Sequence, residues 1–73
     1  MEPKSFDRKN KKVLILHILI NYKNKNGFSP TYREIAELSG IKSTSTVSSL
    51  LKEMEQDGVI RINNKVARSI VIL

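Results

Sequence analysis

Between Thr31 and Gly58 the chain spells two short helices with a glycine between them, and that arrangement leaves few folds open. Ser29 and Pro30 lead into Thr31, and Glu34 follows three residues later. This is the spacing of a capping box, in which the Thr31 hydroxyl accepts from a first-turn N–H and the Glu34 carboxylate accepts from the Thr31 N–H. A helix starting there directs Ile35, Ala36 and Leu38 toward the core and closes at Ser39 and Gly40. Ile41 anchors the turn. Ser43 is the expected N-cap of a further helix over residues 44–57. In it Val47, Leu50, Leu51 and Met54 recur at three- and four-residue spacing and form one apolar stripe. Gly58 breaks it.

The flanks complete the architecture. Residues 1–7 are polar and read as a flexible lead, with Ser5 or Asp7 available as a cap. Residues 8–73 form the domain. Its first helix covers about residues 8–24, where Ile15, Leu19 and Tyr22, with Leu16 and Ile18, supply a core face. Gly27 ends the segment in a left-handed conformation. After Gly58 the chain reads as a hairpin: a strand over Val59 to Ile62, a tip over Asn63 to Val66, and a return strand over Ala67 to Ile72. Val13, Leu14 and Ile20 exceed what one core face uses, and so does the run Ile70 to Leu73. The expectation is that the first helix lies deep between the third helix and the hairpin, buried on two sides. Failing that, the excess forms a partner surface.

Three helices, the last two joined by a tight glycine turn, followed by a two-stranded hairpin make an α+β winged helix-turn-helix. The stripe on the third helix turns its other face to water. That face carries Ser45, Ser48, Ser49 and Lys52, with Thr44 and Thr46 near its start. Short hydroxyl side chains keep a helix slim enough for the major groove and bond to phosphates or base edges. The helix N-terminus itself favours a nearby phosphate. Ser43 and Lys42 precede the helix. Arg61, Lys65 and Arg68, with Asn64 at the tip, make a basic wing, and Thr31 and Arg33 flank the interface.

Charge points the same way. Thirteen Lys and Arg oppose seven Asp and Glu in 73 residues, a net +6. Residues 1–33 hold eight basic and two acidic side chains, and the remainder is balanced at five of each. A small domain so charged favours an anionic partner. Other chemistries find no support. With no cysteine and one histidine, His17, neither a thiolate metal site nor a multi-histidine one is expected, and no cofactor is implied. Glu34, Glu37, Glu53, Glu55 and Asp57 are scattered helical surface charges, and no enzyme is expected. The apolar stretch Val13 to Ile20 spans eight residues, against about 20 for a membrane helix. No secretory cleavage pattern follows it, so a cytoplasmic, nucleoid-associated protein is expected. A chain of this size buries only about 60% of its unfolded surface, so its stability is expected to be marginal.

The stretch GFSPTYREIAELSGIKSTSTVSSLLKEMEQDGVIRI, followed by ARSIVIL, resembles the N-terminal DNA-binding domain of the bacterial SOS-response repressors of the LexA type. The telling residues are Gly27, Pro30-Thr31 before Glu34-Ile35-Ala36, then Gly40, Ser43, Leu51, Gly58-Val59-Ile60 and Arg68. The resemblance implies a winged helix-turn-helix repressor that binds palindromic operators as a dimer. It places Ser43, Ser45, Thr46, Ser48 and Ser49 on DNA-contact positions of the recognition helix, and Asn64 and Lys65 on the wing. The family's second domain, a self-cleaving peptidase that also dimerises, has no counterpart in these residues, and Asn and Lys replace the glycine often found in the wing.

The leading expectation is therefore a sequence-specific double-stranded DNA-binding module that represses transcription by occupancy. It would pair weakly in solution or on DNA, with a missing C-terminal domain as a further partner. Two alternatives stand beside it: a mobile-element winged helix acting in replication or recombination, including on single-stranded DNA, and a protein-interaction winged helix.

Overall fold

No glycine or proline interrupts the chain from Lys4 to Asn26, and α1 (Lys4–Asn26) runs through all of it. The computed structural model describes residues 4–63 and 70–73. α1 thus begins one turn earlier than the expected start near Arg8 and ends two residues later than Asn24. Ser5 and Asp7 lie inside the helix instead of capping it. Its 23 residues, at about 1.5 Å each, make it by far the longest of the described elements. The helix closes where the Asn26 amide donates to the Tyr22 carbonyl at 3.0 Å and the Gly27 N–H donates to the Lys23 carbonyl at 2.7 Å.

α2 (Tyr32–Ser39) opens with the capping box read from the sequence. The Glu34 N–H donates to Thr31 Oγ1 at 3.2 Å, and the Thr31 N–H donates to Glu34 Oε1 at 2.8 Å. The other carboxylate oxygen of Glu34 accepts from the Tyr22 hydroxyl at 2.9 Å, which ties α2 to α1. Gly40 caps the helix at φ +77°, a left-handed conformation that costs an L side chain about 1–2 kcal/mol. A Cβ there would meet nothing within 4 Å, so backbone conformation and not space selects glycine.

α3 (Thr44–Gln56) follows, with Ser43 as N-cap accepting from the Ser45 N–H at 3.2 Å and Asp57 as C-cap. Val47, Leu50, Leu51 and Met54 are all buried. They meet Ile15 and Leu19 of α1, Ile35 and Ala36 of α2, and Ile60 and Ile70 of the hairpin in one core. Leu16, Tyr32, Ile41, Ile62 and Ile72 pack around it.

The hairpin pairs β1 (Ile60–Ile62) with β2 (Ile70–Ile72) antiparallel, Ile60 opposite Ile72 and Ile62 opposite Ile70. Val59 precedes β1, although its carbonyl still accepts from the Leu73 N–H at 3.0 Å. The expected tip residues 64–66 and the expected strand residues 67–69 lie outside the described residues. Both outer strand edges are bonded to the helical body. The Ile62 N–H donates to Glu55 of α3 at 2.9 Å, and the Ile70 N–H donates to the buried Ser29 hydroxyl at 3.2 Å.

Two expectations about burial are corrected. Leu38 was expected in the core but is 58% exposed. α2 is only two turns long, and burying Ile35 and Ala36 rotates Leu38 to the rim of a shallow groove that it shares with Ile18 and Tyr22. Nor is α1 buried on two sides. Val13, Leu14 and Ile20 are exposed, because α2 and α3 share the Ile15–Leu19 side of the helix and the hairpin packs mainly on α3. In the hairpin, Ile70 and Ile72 turn inward while Val71 and Leu73 turn to solvent.

The Ser29 bond is the hairpin's tie to the turn between α1 and α2. Ser29→Ala strands the Ile70 N–H, and we expect a loss of about 1–3 kcal/mol in urea unfolding. The Ile70 amide should lose hydrogen-exchange protection together with that stability.

Candidate nucleic-acid interface

Burying the stripe of α3 leaves its opposite face outward. Ser43, Thr44, Ser45, Ser49 and Lys52 are exposed, and Ser48 is half-buried. Thr44, Ser45, Ser48, Ser49 and Lys52 line one open concavity with Tyr32 from the first turn of α2. Thr46, also half-buried, is not among the lining residues. Lys42 is exposed just ahead of the helix. The first turn of α3 carries no acid, so the helix itself does not offset the positive end of its dipole there.

The remaining sequence-selected residues are more dispersed. The Thr31 hydroxyl is occupied as the cap of α2. Arg33 is exposed on α2, and Arg61 is exposed on β1, on the solvent side of the hairpin with Val71. Asn64, Lys65 and Arg68 lie outside the described residues.

Two residues of this region were not singled out from the sequence. Tyr32 walls the concavity. Burial first, and then the nearby Glu55 carboxylate, raise its phenol above the ordinary value of 10.0. The second is Arg8, whose Nη2 donates to Ser49 Oγ at 3.2 Å and also pairs with Glu53. Lys12 reaches Glu53 at 3.4 Å and Asp57 at 3.5 Å. Glu53 and Asp57, at the C-terminal end of α3, are thus met by cations from α1, and Arg8 reaches from that cluster onto the hydroxyl face at Ser49. The sequence signal was present: Arg8 and Lys12 are four residues apart, as are Glu53 and Asp57. Matching the two pairs requires knowing that α1 and α3 are neighbours.

A two-helix unit with an outward hydroxyl face, followed by a hairpin, is the geometry of a DNA-binding winged helix. The chain matches the family model for the LexA DNA binding domain over residues 7–69. It belongs to the LexA DNA-binding domain family. Among its relatives are the LexA repressor of Alkaliphilus oremlandii, 40% identical over 67 residues, and that of Bifidobacterium adolescentis, 36% identical over 67. Each alignment covers 92% of this chain but only 32% and 25%, respectively, of the relative. The LexA repressor of Clostridium tetani is 36% identical over 66 residues, 90% of this chain and 33% of the relative. The chain therefore spans a quarter to a third of the curated relatives it matches. Among the described residues no helix is long and apolar enough to cross a membrane.

Within this LexA-type domain the Arg8 hydrogen bond is the leading influence that holds the Glu53 carboxyl below its ordinary value of 4.5. Desolvation opposes it and Lys12 adds to it. A carboxyl lowered by folding contributes stability that is fully present above its unfolded pKa. That stability is lost as pH falls through the lower folded value. An NMR titration of the Glu53 carboxyl should give a midpoint below that of an unstructured glutamate. Arg8→Ala should move it up, and Lys12→Ala should move it up by less.

Proposed function

We propose that this chain binds double-stranded DNA sequence-specifically and represses transcription by occupying an operator. The observation that carries the reading is the outward face of α3: small hydroxyl residues and Lys52 around an acid-free helix start. A helix is about 10–12 Å across with its side chains, and the major groove is about 12 Å wide. Serines at the leading positions keep α3 within that limit. In this reading Ser43, Thr44, Ser45, Thr46, Ser48 and Ser49 approach base edges and phosphates. Lys42 and Lys52 hold the backbone. Arg61, Asn64, Lys65 and Arg68 lie along the adjacent phosphates, with Thr31 and Arg33 at the flank. The relatives' description as repressors supports the role.

One winged domain offers few contacts. Two on a palindrome gain a second binding event at high effective concentration, so we place two copies on one operator, weakly paired or monomeric when free. Docking of a further C-terminal domain, of the kind the longer relatives have room for, would serve the same end. Occupancy needs no chemistry from the chain itself, and the work is done in the cytoplasm, at the nucleoid.

Selection from random duplexes tests the reading. Enrichment of one palindromic site is expected. Binding indifferent to sequence would favour a replication or recombination role, and the absence of salt-sensitive binding would favour a protein-interaction role. Ser45→Glu separates binding from folding. An acid in the first turn suits the helix dipole, so the melting temperature should hold or rise slightly. Duplex affinity at low salt should fall by about tenfold, since negative charge then faces the groove. Lys52→Ala and Lys65→Ala should each flatten the logarithmic salt dependence by about one unit, and an unchanged slope takes that lysine off the phosphates.

A further inference from the structure

The hydroxyl face of α3 poses a problem of discrimination. A serine offers one donor and a short reach, whereas the most selective single contact to a base pair is a fork that engages both guanine O6 and N7. Among the described residues lining the α3 concavity, only Lys52 carries a formal charge, and it lies on the third turn. The structure brings a guanidinium to the same face from elsewhere. Arg8 extends from α1, and its Nη2 donates to Ser49 Oγ at 3.2 Å, at the level of the second turn of α3. The same nitrogen pairs with Glu53, one turn further along α3, and the Arg8 side chain remains 39% exposed.

From this geometry we infer that Arg8 is a specificity-determining residue that reads a guanine beside the bases faced by α3. The inference rests on the reading of α3 as the DNA-contacting helix. Arg8 and Glu53 carry opposite charges, so the pair presents little net charge to a phosphate. What the pair retains is orientation. Glu53 and Ser49 fix one nitrogen of a planar group that has five N–H donors. A phosphate contact depends on charge and tolerates a mobile side chain. A bidentate contact to a base edge depends on the plane and direction of the fork, and the side chain here is anchored for that. Lys12 reaches Glu53 as well, but its other partner is Asp57, at the C-terminal end of α3. Lys12 is therefore the charge-matched comparison that does not touch the hydroxyl face.

The experiment is a base-by-base binding profile from selection and competition on duplex libraries. It uses the whole chain, Arg8→Ala, Glu53→Gln and Lys12→Ala, with the melting temperature recorded for each. The parent protein should prefer guanine at one position per half-site, and Arg8→Ala should lower that preference about tenfold or more while other positions keep theirs. Glu53→Gln releases the arginine as a free charge. Preference at that position should fall while affinity for random duplex rises and the salt slope steepens by about one unit. Lys12→Ala should keep the parent profile. If Arg8→Ala does not fold, the Glu53→Gln profile decides alone. A parent-like profile with affinity lowered equally for all sequences makes Arg8 a phosphate contact and overturns the inference. A parent-like profile with affinity unchanged makes the pair an interhelical tie and also overturns it. A parent protein that prefers no sequence removes the reading of α3, and this inference falls with it.

Discussion

Everything placed on the outside of this domain depends on the burial of four residues of α3. Val47, Leu50, Leu51 and Met54 lie on one side of the helix, and all four are in the core. Their burial fixes the rotation of the helix about its axis. A helix turns about 100° per residue, so rotating it by even one position would expose leucine and bury serine. The hydroxyl face points outward because the apolar face cannot. Ser43 sets where this register begins, since its side chain accepts from the Ser45 N–H and starts the helix immediately before the polar positions.

Around that helix the domain is tied together by polar side chains that serve more than one element. Glu34 completes the cap of α2 with one oxygen and accepts from Tyr22 of α1 with the other. Glu55 of α3 satisfies the outer edge of β1, and Ser29 satisfies the outer edge of β2. A two-stranded hairpin alone is marginally stable in water. Here the inward isoleucines join the core and the outer N–H groups find partners on the helical body, so the hairpin emerges from the body at a defined place. That body thereby carries α3 and the hairpin on one scaffold.

Much of this was legible in the chain. The Thr31–Glu34 spacing located the start of α2, Gly40 its end, and the stripe in α3 its buried side, because each signal acts within a turn or two of the residue that carries it. Where the reading failed, the missing information was positional. Leu38 follows Ile35 by three residues and looks like a core residue until the site where α2 rests on α1 is known. Val13, Leu14 and Ile20 looked like the second face of a deeply buried helix, yet both neighbouring helices pack on the same side of α1. Ser5 and Asp7 have cap chemistry and point to a start near Arg8, yet no residue nearby forces a helix to begin there, and α1 starts at Lys4. In the concavity on α3, Tyr32 is not legible from the chain because adjacency to a cap carries no signal of its own, nor is Arg8, whose partners are distant in sequence.

The sequence by itself determined the order of the elements, the caps that bound α2 and α3, the face of α3 that is buried, and the excess of positive charge. These follow from local backbone chemistry, side-chain periodicity and composition. Tertiary structure alone decided that Arg8 meets Ser49 and Glu53 across 41 and 45 residues, and that Ser29 meets Ile70 across 41. It also decided which surplus apolar residues of α1 remain exposed. Such pairings depend on where helices cross and how far they are rotated. Those quantities are set by the packing of the whole core, and no short stretch of the chain contains them.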